Sequence, residues 1–243
     1  ADEDFLVGLS SDVNIFSKFS YKKMTYDIYV ASNNLNSRHS GYDIDGKYTL
    51  KDSDGKDYTL SRNETTDNAH SKQNQYPVTF RASYNTEKIQ ICNTLGYSHS
   101  SNPIQNQNGS LTYSPTVEQD YSYRRSNPSR SNSLSYQGNY FFMLPRDFSI
   151  KVDPLFSYSH NNNLLTYTAS DNEPILRKAR ENAYYYCVNA YLNKRIANKH
   201  TLMLGINHGN TINRLQYTGN VLYSDRFNNA FVSGQLCYCL LYT

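Results

Sequence analysis

The sequence contains no tryptophan, only 38% hydrophobic residues and no apolar run long enough to form a membrane-spanning helix. An average soluble domain has about 45–50% apolar residues, and a spanning helix needs about 20 of them in succession. Charge of one sign is also scarce, because 24 Lys and Arg nearly balance 21 Asp and Glu. These shortages exclude a helical membrane protein, a highly charged disordered chain and a strongly basic nucleic-acid-binding protein.

Apolar and polar residues alternate with a period of two through most of the chain, whereas the helical period is scarce. From Phe5 to Tyr21 the odd positions are mainly apolar and the even positions mainly polar. Strands of soluble sheets are usually about 5–6 residues long, so this alternation favours a tilted membrane strand that continues beyond the bilayer. Eight similar segments follow, at 26–30, 78–84, 89–97, 134–142, 148–158, 184–192, 202–206 and 230–242. Together with the first segment they predict nine strands.

Short and long connections alternate between these predicted strands. The short turns are 22–24, 85–87, 144–146 and 195–198, and the long polar connectors are 37–72, 102–129, 162–181 and 216–226. Bacterial outer-membrane barrels combine short periplasmic turns with longer extracellular loops. The sequence therefore predicts an all-β fold, an antiparallel up-and-down transmembrane β-barrel of about nine to ten strands with long extracellular loops.

Tyrosines and charged residues occupy different positions in this pattern. The 24 tyrosines suit a lipid–water boundary, because each combines an apolar ring with a polar hydroxyl. A charge facing lipid near the midplane costs about 2–4 kcal/mol. Charged residues at the positions that alternate with the apolar ones are therefore expected to face a water-filled lumen. The predicted girdle residues are Tyr21, Tyr26, Tyr84, Tyr97, Tyr158, Tyr184 and Tyr217. The predicted lumen-facing residues are Lys18, Asp27, Arg81, Lys151 and Asp153.

Both sets also have a simpler interpretation. Tyrosine is a good strand former in any sheet, which by itself explains its presence in the strands. Each predicted lumen-facing charged residue is also explained as a solvated side chain without a specific ligand. For any single residue the simpler interpretation is preferred, whereas the distribution of the tyrosines as a whole favours a girdle.

Several hairpins resemble the barrel of Bacteroidetes-type TonB-dependent outer-membrane receptors. The stretch SLSYQGNYFFMLPRDFSIKVDPLFSYSHNNN, residues 133–163, carries the resemblance most clearly, and residues 16–34, 80–102 and 193–209 share its strand–turn–strand texture. The resemblance implies a barrel of about 22 strands with a plug, which imports a scarce, bulky nutrient with energy from a TonB-type complex. It also implies a surface lipoprotein as a further partner and a location in the bacterial outer membrane.

Measured against this family, the sequence has too few strands, no recognisable plug domain and no energy-coupling box. Nine strands that begin on the outside leave two unpaired edges, which lipid does not tolerate. The N-terminus, Ala1–Asp4, lacks the basic and apolar regions of a signal peptide. We therefore expect residues 1–243 to be one transmembrane barrel segment, part of a larger barrel or one member of an assembled barrel.

No cofactor, metal site or catalytic motif is predicted. Cys92, Cys187, Cys237 and Cys239 lack zinc-site spacing and are expected to be small strand residues, with their disulfide status left open. The segment 52–55 resembles the start of a calcium loop but lacks its closing Glu, because position 62 is Arg. Since Asp54-Gly55 is a favoured hairpin pair, residues 48–50 and 58–60 are instead predicted to form an extracellular β-arm.

A second long connector carries a cluster of three arginines, Arg124, Arg125 and Arg130. The cluster is interpreted as a solvated loop, with contact to acidic lipopolysaccharide as the alternative. The leading functional hypothesis is a non-enzymatic part of a nutrient receptor and transporter barrel. Two alternatives stay open: a β-rich surface protein that binds a partner or glycan, and a barrel-embedded hydrolase whose dispersed His, Ser and acidic residues would escape a motif scan.

Overall fold

Alternating side chains place one apolar and one polar face on each strand, and the chain folds accordingly into strands alone. The computed structural model describes residues 8–51, 53–114, 121–170, 172–196, 200–219 and 223–240. The ten strands are β1 Gly8–Tyr21, β2 Met24–Lys51, β3 Asp57–Asn85, β4 Ile89–Ser114, β5 Tyr121–Ser126, β6 Ser129–Leu144, β7 Phe148–Ala169, β8 Ile175–Ile196, β9 His200–Thr218 and β10 Tyr223–Leu240. Among the described residues, no helix has the length and hydropathy that membrane crossing requires.

The strands form one antiparallel sheet in which sequence neighbours pair, except that β5 and β6 do not pair with each other and each pairs with both β4 and β7. β5 and β6 occupy a single position between β4 and β7, so the sheet has nine positions across its width. The all-β, up-and-down prediction is confirmed. Within the described residues no pairing joins β1 to β10, so both remain edge strands. The predicted residues Phe5 and Tyr242 lie outside the described part of the chain.

One face of the sheet carries a continuous belt of apolar side chains. On β8 the belt extends over Tyr184–Leu192, and on β7 it extends over Phe148–Tyr158. These lengths match the roughly 9–11 residues of a transmembrane β-strand. The apolar side chains are exposed, for example Leu204 at 57%, Ile206 at 56% and Leu236 at 73%. Because exposed apolar patches of this extent are unusual on soluble monomers, the face is suited to contact with lipid.

Polar side chains interrupt the belt on the apolar face, among them Asn93, His208 and Asn210. Asn93 accepts hydrogen bonds from the hydroxyls of Tyr136 and Tyr140 at 2.8 and 2.6 Å. The Nδ1 atom of His208 lies 3.2 Å from the carbonyl oxygen of Phe231. The Asn210 side-chain oxygen has no hydrogen-bond partner among the described residues. The side chains of Asn93 and His208 are therefore satisfied inside the sheet.

The long connectors are mostly continuations of the strands, which corrects their description as loops. β2 and β3 run 28 and 29 residues, and they form an arm closed by a turn near Asp54 and Gly55. Tyr48 pairs with Leu60 and Leu50 with Tyr58, as predicted for a β-hairpin. Gly55 adopts φ +77°, a conformation that favours glycine. The polar residues of the connectors fit strands because cross-strand backbone bonds do not require apolar side chains.

Register shifts interrupt the ladders just beyond the belt. Between β3 and β4 they lie between Thr66 and Asn68 and between Lys72 and Asn74. Between β2 and β3 they lie on either side of Ser40. An extra residue at a bulge reverses the parity of the strand beyond it. As a result, even-numbered residues of β3 occupy the polar face in the arm, whereas odd-numbered residues occupy it beside the belt.

The sheet has almost no conventional core. The buried side chains are Ala31, Thr66, Leu111, Tyr123 and Cys187 among the described residues, and all five lie on the polar face. Thr66, Leu111 and Tyr123 are neighbours on β3, β4 and β5. The tightest packing of the sheet therefore lies on its polar face, beyond the belt, at the end where the long connectors lie.

Candidate functional site

The neighbourhood of Tyr123 contains a cavity of about 390 Å³, a volume within the usual range of ligand sites. We call it the arginine–tyrosine cleft. Its lining residues come from five strands: Arg62, Glu64, Leu111, Tyr123, Arg125, Leu165, Tyr167, Ile175 and Arg177. All of them lie on the polar face, because the pairings of β3, β4, β5, β7 and β8 align their side chains.

Glu64 connects the two sides of the cleft. One carboxylate oxygen lies 2.8 Å from Arg62 Nη2, and the other accepts a 2.7 Å hydrogen bond from the Tyr123 hydroxyl. Gln107 donates to the same hydroxyl at 2.8 Å and to Thr66 Oγ1 at 2.9 Å. Both oxygens of Glu64 are thus engaged, and Tyr123 is held in one position by several partners.

The pKa values of Tyr123 in the cleft and of the neighbouring Tyr121 are both raised above the usual value for tyrosine. Burial is the largest cause that raises the pKa of Tyr123. The hydrogen bond with Tyr167 is the largest cause that raises the pKa of Tyr121. The Tyr123 and Tyr167 rings are stacked, with centroids 6.0 Å apart. The cleft therefore presents neutral aromatic surface and hydroxyl groups to a ligand.

The arginines give the cleft a positive charge. Burial lowers the pKa of Arg62, but hydrogen bonding to Tyr48 and the charge of Glu64 outweigh it, so the pKa is raised overall. Arg125 and Arg177 are exposed and have no acidic partner among the described residues. Three arginines and one glutamate line the cavity. This composition favours a ligand with carboxylate or phosphate groups, to which Arg binds in bidentate geometry.

A small residue supports the packing of the cleft. A Cβ atom at Gly109 would lie 2.3 Å from the Thr65 carbonyl oxygen and 2.9 Å from the Tyr123 hydroxyl. We expect Gly109→Ala to destabilise this region locally by about 1–2 kcal/mol through overpacking. Hydrogen exchange of the β4 and β5 amides measures the effect. Gly234→Ala is the control, since its Cβ would meet nothing within 4 Å. Unchanged exchange in Gly109→Ala would contradict the assignment.

The predicted lumen-facing charges share the polar face but form two separate groups. Lys18, Asp27 and Arg81 are direct cross-strand neighbours on β1, β2 and β3. Lys151 and Asp153 form a 2.7 Å ion pair on β7. β4 and β6 lie between the groups, and neither group belongs to the arginine–tyrosine cleft. That this face lines a water-filled lumen stays a prediction.

Six of the seven predicted girdle tyrosines lie on the apolar face. Tyr97, Tyr158 and Tyr184 form one row at the edge of the belt, and Tyr158 and Tyr184 have ring centroids 4.8 Å apart. Tyr21, Tyr26 and Tyr84 lie towards the short turns. Tyr217 is a correction, because its pairing with Ala179 places it on the polar face.

The predicted arginine cluster is divided between the two faces. Arg125 points into the cleft, whereas Arg124 and Arg130 lie on the apolar face beyond the belt. Side chains of adjacent strand residues point to opposite faces of the sheet. The three arginines therefore do not form a single site, although they are close in the sequence. Of the charged and aromatic residues that line the cleft, the sequence predicts only Arg125 as a candidate. It does not predict Arg62, Glu64, Tyr123, Tyr167 and Arg177.

The thiols and possible metal ligands do not form a site in the described part of the chain. Cys92 and Cys187 are free thiols on β4 and β8, and Arg81 Nε donates to Cys92 Sγ at 3.2 Å. Cys237 lies opposite Met203, on the polar face, and the side chain of Cys239 lies outside the described structure. No group of three or more His, Cys, Asp or Glu side chains is placed to hold a metal ion among the described residues.

Comparison with known proteins identifies the fold. No family model matches the sequence, and no curated protein sequence matches it. The structure is similar to the ferric yersiniabactin uptake receptor FyuA from Yersinia pestis, with TM-score 0.55, 9% identity and coverage of 97% of this chain and 44% of the receptor. It is also similar to the siderophore receptor PiuA from Acinetobacter baumannii, with TM-score 0.51, 12% identity and coverage of 97% and 47%.

These similarities show the fold alone. The chain has the fold of an outer-membrane β-barrel wall, with an apolar belt on one face and polar side chains on the other. It spans less than half the length of either receptor.

Proposed function

We propose that the chain forms part of the wall of an outer-membrane receptor and transporter that takes up a bulky nutrient. The observation that carries the proposal is the combination of a lipid-suited belt with a preformed cationic cleft on the opposite face. The belt anchors the wall in the bilayer, and the cleft contacts the nutrient beyond it. Binding and positioning are the roles of these residues, and no bond chemistry is assigned to them.

The chemistry of the cleft narrows the nutrient class. Exposed Arg125 and Arg177 bind carboxylate or phosphate groups, and the stacked Tyr123 and Tyr167 rings contact planar parts of the ligand. The names of the two similar receptors include ferric yersiniabactin and siderophores. Ferric complexes of anionic chelators are therefore the first ligands to test.

The proposal also includes the larger assembly. The unpaired edges of β1 and β10 would be closed by further strands of a barrel of about 22 strands. A TonB-type complex would supply energy for import, and a surface lipoprotein would be the second partner. The location of the intact protein would be the bacterial outer membrane.

Uptake of labelled iron tests this proposal. A strain that lacks the gene should lose uptake of at least one ferric chelate under iron limitation, and the restored gene should recover it. The intact protein should fractionate with the outer membrane and require detergent for extraction. A stable monomer in detergent-free buffer, or normal uptake of every nutrient class tested in the deletion strain, would contradict the proposal.

A further inference from the structure

Cations accumulate on the apolar face directly beyond the belt. We call them the cationic band, which consists of Arg130, Lys178, Arg180, Arg214 and Arg226, all exposed. Arg214 follows the last belt residue of β9, Ile212, by two positions, and Arg180 precedes the first belt residue of β8, Tyr184, by four. At about 3.4 Å per residue, the Arg214 and Arg180 side chains begin about 7–14 Å beyond the belt along their strands. Lipid headgroups occupy this depth, next to the hydrocarbon core.

Charges of opposite sign are sorted between the two faces at this level. Glu181 and Asp225 are adjacent in sequence to Arg180 and Arg226, but they project from the polar face. Asn161 Nδ2 donates to the Glu181 carboxylate at 3.3 Å on that face. The cations of the band form no ion pair with any described residue. The band therefore has no internal counter-charge within the described structure.

The cations also repel one another. Arg214 and Arg226 are directly opposite on β9 and β10, and like charges in this arrangement destabilise a sheet. Arg130 and Arg180 lie on either side of Asn162, in one row across β6, β7 and β8. An anion placed between such pairs would relieve the repulsion.

A hollow within the band is large enough for a headgroup. Its volume is about 420 Å³, and its lining includes His99, Arg130, Asn162, Leu164 and Lys178. It lies beside Pro128, where β5 and β6 separate. The hollow joins two cations to an apolar side chain and opens on the same face as the belt. This combination suits a molecule with phosphate groups at one end and hydrocarbon at the other.

We propose that the cationic band binds the phosphate groups of lipids with net negative charge in the adjacent leaflet. This inference rests on the membrane placement in the proposed function and adds a specific lipid contact to it. The phosphate-bearing headgroup is fixed by Arg and Lys, while its acyl chains lie along the apolar belt. Phosphate groups supply the counter-charge that the chain itself does not place on this face.

Lipid binding by the intact protein in neutral detergent micelles tests the inference. Added lipopolysaccharide should bind at least tenfold more tightly than phosphatidylcholine. The variant Arg180→Gln/Arg214→Gln/Arg226→Gln should lose roughly 100-fold in lipopolysaccharide affinity, at about fivefold per charge. The control Lys47→Gln/Lys51→Gln removes charge from the arm and should retain the affinity of the unsubstituted protein.

Each remaining outcome counts against the inference. Equal affinity for the two lipids, or an equal loss in the arm control, would overturn it. If inorganic phosphate competes with lipid for the band at the same concentration, the band binds free anions instead. If an acidic protein domain displaces the lipid, the band binds a protein partner instead. If the protein inserts into lipid but shows no preference, only this inference fails. If it does not insert, the proposed function fails.

Discussion

Replacement of Val188 by arginine is expected to destabilise the intact protein in lipid by about 2–4 kcal/mol, whereas arginine at Asn189 should cost less than about 1 kcal/mol. Val188 lies in the middle of the β8 segment of the belt, 39% exposed on the apolar face. Its cross-strand neighbours are Pro154 and His208. A guanidinium at this position would enter hydrocarbon without an acidic partner, which accounts for the expected cost.

Asn189 provides a matched control one residue away. It lies on the polar face between Asp153 and Asn207, so an arginine there gains an adjacent carboxylate. Urea titration of the protein folded in phosphatidylcholine vesicles measures the free energy of unfolding of both variants. Equal losses for Val188→Arg and Asn189→Arg would show that the belt does not face lipid. A larger loss for Asn189→Arg would reverse the assignment of the faces.

Removal of both unpaired arginines from the cleft is expected to weaken binding of an anionic nutrient about 100-fold or more. Hydrogen bonds to charged groups contribute about 1.5–3 kcal/mol each, and Arg125 and Arg177 both line the cavity. Arg62 is unsuitable for this test, because its removal would leave Glu64 without its ion-pair partner. The double variant Arg125→Gln/Arg177→Gln leaves that pair intact.

The adjacent residue supplies the control for this second experiment. Arg124→Gln removes a charge from the same strand but from the other face. Titration of the intact protein with the ferric chelate identified by uptake, followed by tyrosine fluorescence, gives the dissociation constants. Unchanged binding in the double variant would remove the cleft as the nutrient site. An equal loss in Arg124→Gln would indicate that overall charge, and not the cleft, controls binding.

The residues around the belt were predictable because their contacts depend on local alternation. Tyr97, Tyr158 and Tyr184 fall in one row because each ends an apolar segment of similar length. The arm was predictable from Asp54-Gly55 and its flanking strands, since turn chemistry acts over a few residues. Tyr217 departs from the girdle prediction because its parity on β9, set by the pairing with Ala179, directs it to the polar face although it lies near a connector.

The cleft was not predictable in the same way. Arg62 and Arg177 are separated by more than a hundred positions in the sequence, and four strand pairings bring them to one cavity. The bulge near Asp67 lies between the belt and Glu64 on β3. It reverses which residues of the strand, odd or even, face the polar side. Extrapolation of the alternation from Arg81 would therefore have placed Arg62 and Glu64 on the apolar face. A single inserted residue, whose position depends on cross-strand pairing, decides this.

The amino-acid sequence by itself determined the strand-only fold, the two faces of the sheet and the height of the apolar belt. These properties follow from the period of two, which acts between neighbouring residues and needs no long-range information. Tertiary structure alone decided which polar residues meet beyond the belt. There the register depends on bulges and on pairing between distant strands, so the cleft, the division of Arg124 from Arg125 and the cationic band emerge only once the strands are aligned.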